Sequence, residues 1–136
     1  MSTIPESILT STKKVLGLPA ENTDFDVDVI MHINSVLAIL HQMGIGPTDG
    51  FAIEDATPTW TDFLADVNPL NDVKSYTFLR VRMMFDPPPT SFHLESMQKQ
   101  IDEIGWRIST YRESLQLLPA PPPDYYYDDY DPLEGF

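Results

Sequence analysis

The stretch LESMQKQIDEIGWRISTYRESL, residues 94–115, places apolar side chains at alternating steps of three and four along the chain. These positions are Leu94, Met97, Ile101, Ile104, Ile108, Tyr111 and Leu115. Such steps return to the same side of an α-helix, so the pattern predicts one helix with a continuous apolar seam. In a small helical domain a seam of this kind packs inside a bundle more often than between two chains, and the sequence leaves both arrangements open.

Capping boxes predict where the earlier helices begin, because a hydroxyl residue followed three positions later by an acidic residue satisfies free amide groups. The three boxes are Thr3–Glu6, Thr23–Asp26 and Thr59–Asp62. The predicted helices cover about residues 3–16, 25–43 and 59–64, followed by one over 70–85 whose apolar residues surround most of its circumference. That last distribution indicates a helix with neighbours on several sides. Three prolines after Asp86 end it, and Thr90 or Ser91 caps the seam helix.

Residues 44–58 have the composition of turns, with Phe51 and Ile53 alternating as in a short strand. We expect a protruding loop or a short β-hairpin there, with Phe51 and Ile53 as candidate interface residues. Trp106 is a third candidate, because the seam numbering places it on the far side of its helix. Either the loop around Phe51 or a neighbouring subunit would cover its ring, and the sequence does not choose between them.

Residues 119–136 differ from the rest of the chain, since they are rich in Pro, Tyr and Asp and poor in aliphatic residues. Such a segment cannot bury a core of its own, although its aromatic rings gain from contact with a surface. The candidate anchors are Tyr125, Tyr126, Tyr127, Tyr130 and Phe136. The stretch 122–125 matches a WW-domain ligand pattern, and a stiff spacer before aromatic anchors is the favoured interpretation. The predicted fold class is therefore all-α, a small bundle of about four to five helices over residues 1–118 with an extended C-terminal docking tail.

Charge and composition exclude several functions. The formal net charge is −13 and the chain has no cysteine, so a basic nucleic-acid surface, a disulfide scaffold and a thiolate site are not expected. The tail contributes −5, from Asp124, Asp128, Asp129, Asp131 and Glu134, and the body contributes the remaining −8. No stretch approaches the ~18 apolar residues of a membrane span, and the first residues lack a signal-peptide pattern. We expect assembly in a cytoplasm.

No catalytic, cofactor or metal site is predicted. Asp28 and His32 are four residues apart and could share a metal on one helix, but without a third ligand a surface hydrogen bond is the favoured interpretation. Residues 44–46 resemble a phosphate loop only superficially, because they follow a helix and lack a lysine. The sequence therefore points to an assembly component and not to an enzyme.

Several stretches of this chain resemble the head-tail connector (adaptor, or head-completion) proteins of long-tailed double-stranded DNA phages. The resemblance covers roughly residues 4–113 and lies in the order and spacing of helices together with ILTSTKKVLGL (8–18), TDFDVDVIMHINSVL (23–37), GIGPTDGF (44–51), WTDFL (60–64), LNDVKSY (70–76), VRMMFDPP (81–88) and MQKQIDEIGWR (97–107). The acidic tail lies outside it. No single motif among these is diagnostic.

The resemblance implies a helical bundle that assembles as a ring, commonly of twelve copies, beneath the portal of the virion. Such a ring would extend the DNA channel without binding DNA specifically, and would offer a docking surface to a tail-side stopper or tail terminator protein. Two other functions stay open at this point. An acidic inhibitor could mimic DNA, or an assembly chaperone or scaffold could act and be absent from the finished particle.

Overall fold

The computed structural model describes residues 6–65 and 67–117, and these residues form five helices and no β-strand. The helices are α1 (Ile8–Val15), α2 (Asp26–Gln42), α3 (Trp60–Phe63), α4 (Val67–Phe85) and α5 (Ser91–Leu117). α4 packs against α1, α2 and α5, and one core of buried side chains lies between them. The prediction of a small all-α bundle is confirmed.

α1 begins at Ile8, with Ser7 as its N-cap, because the Ser7 hydroxyl accepts a hydrogen bond from the Thr10 amide at 3.1 Å. Thr3, the predicted cap, lies outside the described residues. The helix stops before Gly17, as predicted, and Gly17 adopts a positive φ of 82° that suits glycine best.

α2 matches its predicted extent, but the predicted capping box at its start is wrong. Phe25 is the N-cap and makes no side-chain cap hydrogen bond. The carboxylate of Asp26 instead lies 2.8 Å from the ammonium of Lys13, a buried side chain of α1. At the other end the amides of Gly44 and Ile45 donate to the last carbonyls of α2, and Gly44 adopts a positive φ of 84°, so this glycine terminates the helix.

The short helix α3 has the capping box that the sequence predicts. The Thr59 hydroxyl accepts from the Asp62 amide, and the Asp62 carboxylate accepts from the Thr59 amide. The indole Nε1 of Trp60 donates to the Ser11 hydroxyl at 2.9 Å, while the amides of Ile8 and Trp60 donate to the carbonyls of Pro58 and Glu6. These bonds join the start of α1 to the start of α3.

The seam of α5 packs against its own chain. Ile101, Ile104 and Ile108 are buried in the core, whereas the first turns of α5 are exposed apart from the half-buried Met97. Thr90 caps this helix, as predicted, by accepting a hydrogen bond from the His93 amide. The seam therefore belongs to the bundle, and the opposite side of α5 is left facing outward.

Candidate protein-interaction surfaces

The outward side of α5 carries two large aromatic residues. Phe92 and Trp106 are 73% and 68% exposed, and they lie two heptads apart with Lys99 midway between them. Seven residues make nearly two full turns, so all three point the same way, opposite the buried isoleucines. Within the described residues the loop around Phe51 does not cover Trp106, and its ring stays a candidate for contact with another segment or protein.

Trp106 forms one wall of a groove between α4 and α5, here called the tryptophan groove, with a volume of about 320 Å³. Its lining residues are Met43, Tyr76, Arg80, Ile101, Asp102, Gly105, Trp106 and Ser109. The Arg80 guanidinium lies over the Tyr76 ring, 5.1 Å from its centroid. Arg80 Nε is buried and has no hydrogen-bond partner among the described residues.

The loop over residues 44–58 does not form the alternative β-hairpin, and its residue Ile53 does not reach the surface. Ile53 is 2% exposed, and its backbone exchanges two hydrogen bonds with the side-chain amide of Asn34 on α2, at 2.8 and 3.0 Å. Those bonds take the place of a strand partner. The expectation that Ile53 lies at an interface is therefore corrected, and this position belongs to the core.

Phe51 occupies an intermediate position. Its ring packs edge-on against Phe63 at a centroid distance of 5.4 Å and is only partly buried. It stays a candidate for contact with another protein, although its ring already packs against Phe63 within its own chain. Tyr125, Tyr126, Tyr127, Tyr130 and Phe136, the candidate anchors of the tail, lie outside the described residues.

α2 presents an apolar surface that the sequence analysis missed. Val27 and Met31 are 72% and 61% exposed on the side of α2 away from the core, and Phe25 beside them packs against Phe85 at 5.6 Å. The available signal was that Val27 and Met31 are apolar and four positions apart. They lie outside the buried set of α2, which is Val29, Ile33, Val36, Leu37 and Leu40.

A second groove lies at the turn between α4 and α5, with a volume of about 470 Å³. It is lined by Arg82, Pro88, Pro89, His93, Ser96, Met97 and Gln100. No short-range pattern predicts this groove, because residues from the end of one helix and the start of the next become neighbours only when the prolines reverse the chain.

Several basic side chains of this acidic chain are engaged in ion pairs. Arg107 on α5 contacts Asp72 at 3.1 Å and Glu103 at 3.0 Å, and the hydrogen bonds and charge of Asp72, followed by those of Glu103, raise the pKa of Arg107. Lys13 pairs with Asp26, and Lys74 pairs with Glu6. Because these cations are neutralised locally, much of the outer surface is left to carboxylates.

The described residues contain neither a metal-binding cluster nor a membrane-spanning helix. No cluster of three His, Cys, Asp or Glu side chains suited to a metal ion occurs in the described ranges. No helix within those same ranges is long and apolar enough to cross a membrane. The features that stand out among these residues are exposed apolar and aromatic surfaces on a helical bundle, which are typical of proteins that contact other proteins.

The chain belongs to the phage connector protein family, whose sequence model matches residues 8–114. The match covers α1 to α5 almost completely and stops before the acidic tail. No curated protein and no solved structure gives a significant match to the chain. Membership confirms the resemblance found from the sequence and indicates a structural role, and not a catalytic one, in the phage particle.

Proposed function

We propose that this protein is a head-to-tail connector that forms a ring of twelve copies beneath the portal of a long-tailed double-stranded DNA phage. The ring would extend the DNA channel and dock the stopper or tail terminator protein on its tail side. The protein would assemble in the host cytoplasm and stay in the virion at the head–tail interface. The family match over residues 8–114 carries this proposal.

A closed ring of identical copies needs two different, complementary surfaces on each copy. The described residues offer two exposed apolar surfaces, one on α2 around Val27 and Met31 and one on α5 around Phe92 and Trp106. Exposed apolar surface is unfavourable in a free chain, so both are suited to burial on assembly. We assign these surfaces to contacts between neighbouring copies or with the portal.

The acidic tail supplies a further means of attachment. Its aromatic anchors, Tyr125, Tyr126, Tyr127, Tyr130 and Phe136, would enter grooves of the portal or of an adjacent subunit. Its carboxylates would meet basic residues there. The tail lies after the helical body that the family model matches, so it is free to contact a neighbouring subunit without being part of that body.

Net negative charge suits a channel through which DNA must pass. A basic lining would release counterions from DNA and hold it, whereas carboxylates create no such attraction. With a formal net charge of −13, the chain fits passage of DNA without specific binding.

Protein analysis of purified virions tests this function. A connector should be present in mature particles in a fixed ratio to the portal protein, whereas a DNA-mimic inhibitor or a scaffold should be missing from them. Phage lacking the gene should accumulate DNA-filled heads without attached tails. Mature, infectious particles that lack the protein would overturn the proposal.

Removal of the tail tests its assigned role separately. Deletion of residues 119–136 should lower incorporation into virions because the aromatic anchors are lost. A matched variant that keeps the length and charge but replaces the four tail tyrosines with serine should show the same loss. Normal incorporation of both variants would contradict attachment through the tail.

A further inference from the structure

The tryptophan groove combines two unfavourable features that its own side chains do not relieve. The indole of Trp106 is largely exposed, and Arg80 Nε is buried without an acceptor among the described residues. An exposed aromatic surface favours an apolar partner, and a buried N–H group favours an acceptor. A ligand that carries an aromatic ring beside a carboxylate would satisfy both.

We propose that in the free chain this groove holds the chain's own C-terminal segment, residues 118–136, folded back along α5. The occupant is the segment of the same molecule and not that of a second copy. The contact itself does not depend on the proposed function. Its meaning does rest on that function, because the segment would then cover an assembly surface until a neighbouring protein displaces it.

The chemistry of the segment matches the groove. Tyr125, Tyr126 and Tyr127 stand between Asp124 and Asp128, so three rings lie between two carboxylates within five residues. A tyrosine ring would pack on the indole, and an aspartate oxygen would accept a hydrogen bond from the arginine.

At the floor of the groove Gly105 lets the Tyr76 ring of α4 pack close to the backbone of α5. A Cβ atom at Gly105 would lie 3.1 Å from Cε1 of the Tyr76 ring, and its absence leaves the face of α5 flat beside Trp106. The carboxylate of Asp102 on the rim accepts a hydrogen bond from Gln98 at 2.9 Å. Its other oxygen can accept one from a tyrosine hydroxyl, so an acidic ligand with phenol groups is tolerated there.

The segment also has the right reach. Trp106 lies eleven residues before the end of α5, a distance of about 16 Å at a rise of 1.5 Å per residue. Residues 118–124 are rich in proline, and an extended proline-type chain of seven residues spans about 22 Å. If the chain reverses at the end of α5, the three tyrosines therefore arrive beside Trp106 and Asp102.

The attachment of both partners to one chain favours the intramolecular contact. A tethered segment acts at an effective concentration in the millimolar range, whereas a second copy must bind from dilute solution. Both the body and the segment are acidic, which adds repulsion between separate copies. Arg80 then provides the local positive charge that accepts the segment.

Acrylamide quenching of tryptophan fluorescence in the full-length chain tests the proposal, with excitation at a wavelength that tyrosine does not absorb. Trp60 is 2% exposed and contributes little to quenching, so the accessible signal reports on Trp106. The full chain should be quenched several-fold less than a free tryptophan derivative. Replacing Tyr125, Tyr126 and Tyr127 together with serine should raise quenching towards the value of that derivative, whereas Leu133→Ser should not.

Arg80→Gln provides a second test from the side of the groove, with circular dichroism to confirm that the variant is folded. It should also raise quenching, because the segment loses its charged partner. Protection that is constant over a wide range of protein concentrations supports the intramolecular contact. Protection that grows with concentration, survives the triple tyrosine substitution, or is missing in the full chain would overturn it. Since these measurements use the isolated chain, their failure leaves the virion test of the proposed function unaffected.

Discussion

Gly46 and Gly50 both adopt a positive φ, 94° and 91°, yet they differ in what surrounds them. A Cβ atom at Gly46 would lie 2.5 Å from Cε1 of Phe63, whereas a Cβ atom at Gly50 would meet nothing within 4 Å. An alanine at either position would meet similar backbone strain, because an L side chain disfavours this φ. They therefore form a matched pair in which only the contact with the aromatic ring changes.

We expect Gly46→Ala to lower the free energy of unfolding by about 2–4 kcal/mol, the sum of backbone strain and overpacking against Phe63. Gly50→Ala should lower it by only about 1–2 kcal/mol, because strain alone remains. Urea denaturation of the two variants measures the difference. Equal effects would show that the loop moves away from Phe63 without cost.

The ion pair between Lys13 and Asp26 supports the junction of α1 and α2. Lys13 is buried, and its ammonium also donates to the Ala20 carbonyl at 3.1 Å. Asp26→Ala should lower the free energy of unfolding by about 2–3 kcal/mol, because it leaves a buried ammonium without its carboxylate.

Asp28→Ala is the matched control for that substitution, since it also removes a carboxylate from the first turn of α2 but its side chain is exposed. It should cost no more than about 0.5–1 kcal/mol, through the helix dipole. Adding Lys13→Met to Asp26→Ala should restore part of the lost stability in urea denaturation. Equal losses for Asp26→Ala and Asp28→Ala would contradict a structural role for the ion pair.

At the scale of elements, the two sides of α5 differ in role. The buried side stabilises the fold, and the exposed side is proposed to contact other proteins. Ile108 is buried in the core, so Ile108→Ala should lower the free energy of unfolding by about 2–4 kcal/mol. Trp106→Ser on the outer side should change it by less than about 0.5 kcal/mol. The same Trp106 variant should nevertheless lose incorporation into virions, measured against the portal protein, while Thr110→Ser keeps it. A Trp106 variant that assembles normally would remove the outer side of α5 from the interface.

The elements were predictable to different degrees for physical reasons. The middle of the α5 seam, its cap at Thr90 and the box of α3 depend on residues close in sequence, and these predictions are confirmed. Leu94, at the start of the predicted seam, is 38% exposed. The start of α2 was misjudged because Asp26 pairs with Lys13 on another helix. The burial of Ile53 depends on Asn34, nineteen residues away, and short-range patterns carry no signal for such a partner.

The candidate surfaces, like the helices, were predictable only where residues close in sequence define them. The outward position of Trp106 was readable from the heptad numbering, because one helix fixes it. The grooves were not readable, since each requires side chains from two helices whose packing only the tertiary structure defines. Phe92, the second aromatic residue on that side, lies before the first seam residue Leu94, so the seam does not predict its position.

For the whole molecule, the excess of carboxylates predicts the response to DNA. At a formal net charge of −13, the free chain should give no shift of double-stranded DNA in a gel assay at low salt, where electrostatic binding is strongest. Replacing several exposed body carboxylates, such as Asp28, Glu95 and Glu103, with lysine should produce weak binding that disappears as salt is added. Salt-sensitive DNA binding by the unchanged protein would contradict the proposal that DNA passes through the ring without being bound.

The hydrogen bonds between the starts of α1 and α3 make the beginning of the chain a support for its middle. The Trp60 amide and indole donate to Glu6 and Ser11, the latter across 49 positions of sequence. Shortening the protein from its amino end past Glu6 would therefore loosen α3 and the loop that precedes it. Affinity tags and fluorescent fusions are best placed ahead of residue 1 on a flexible spacer, so that these hydrogen bonds between α1 and α3 still form.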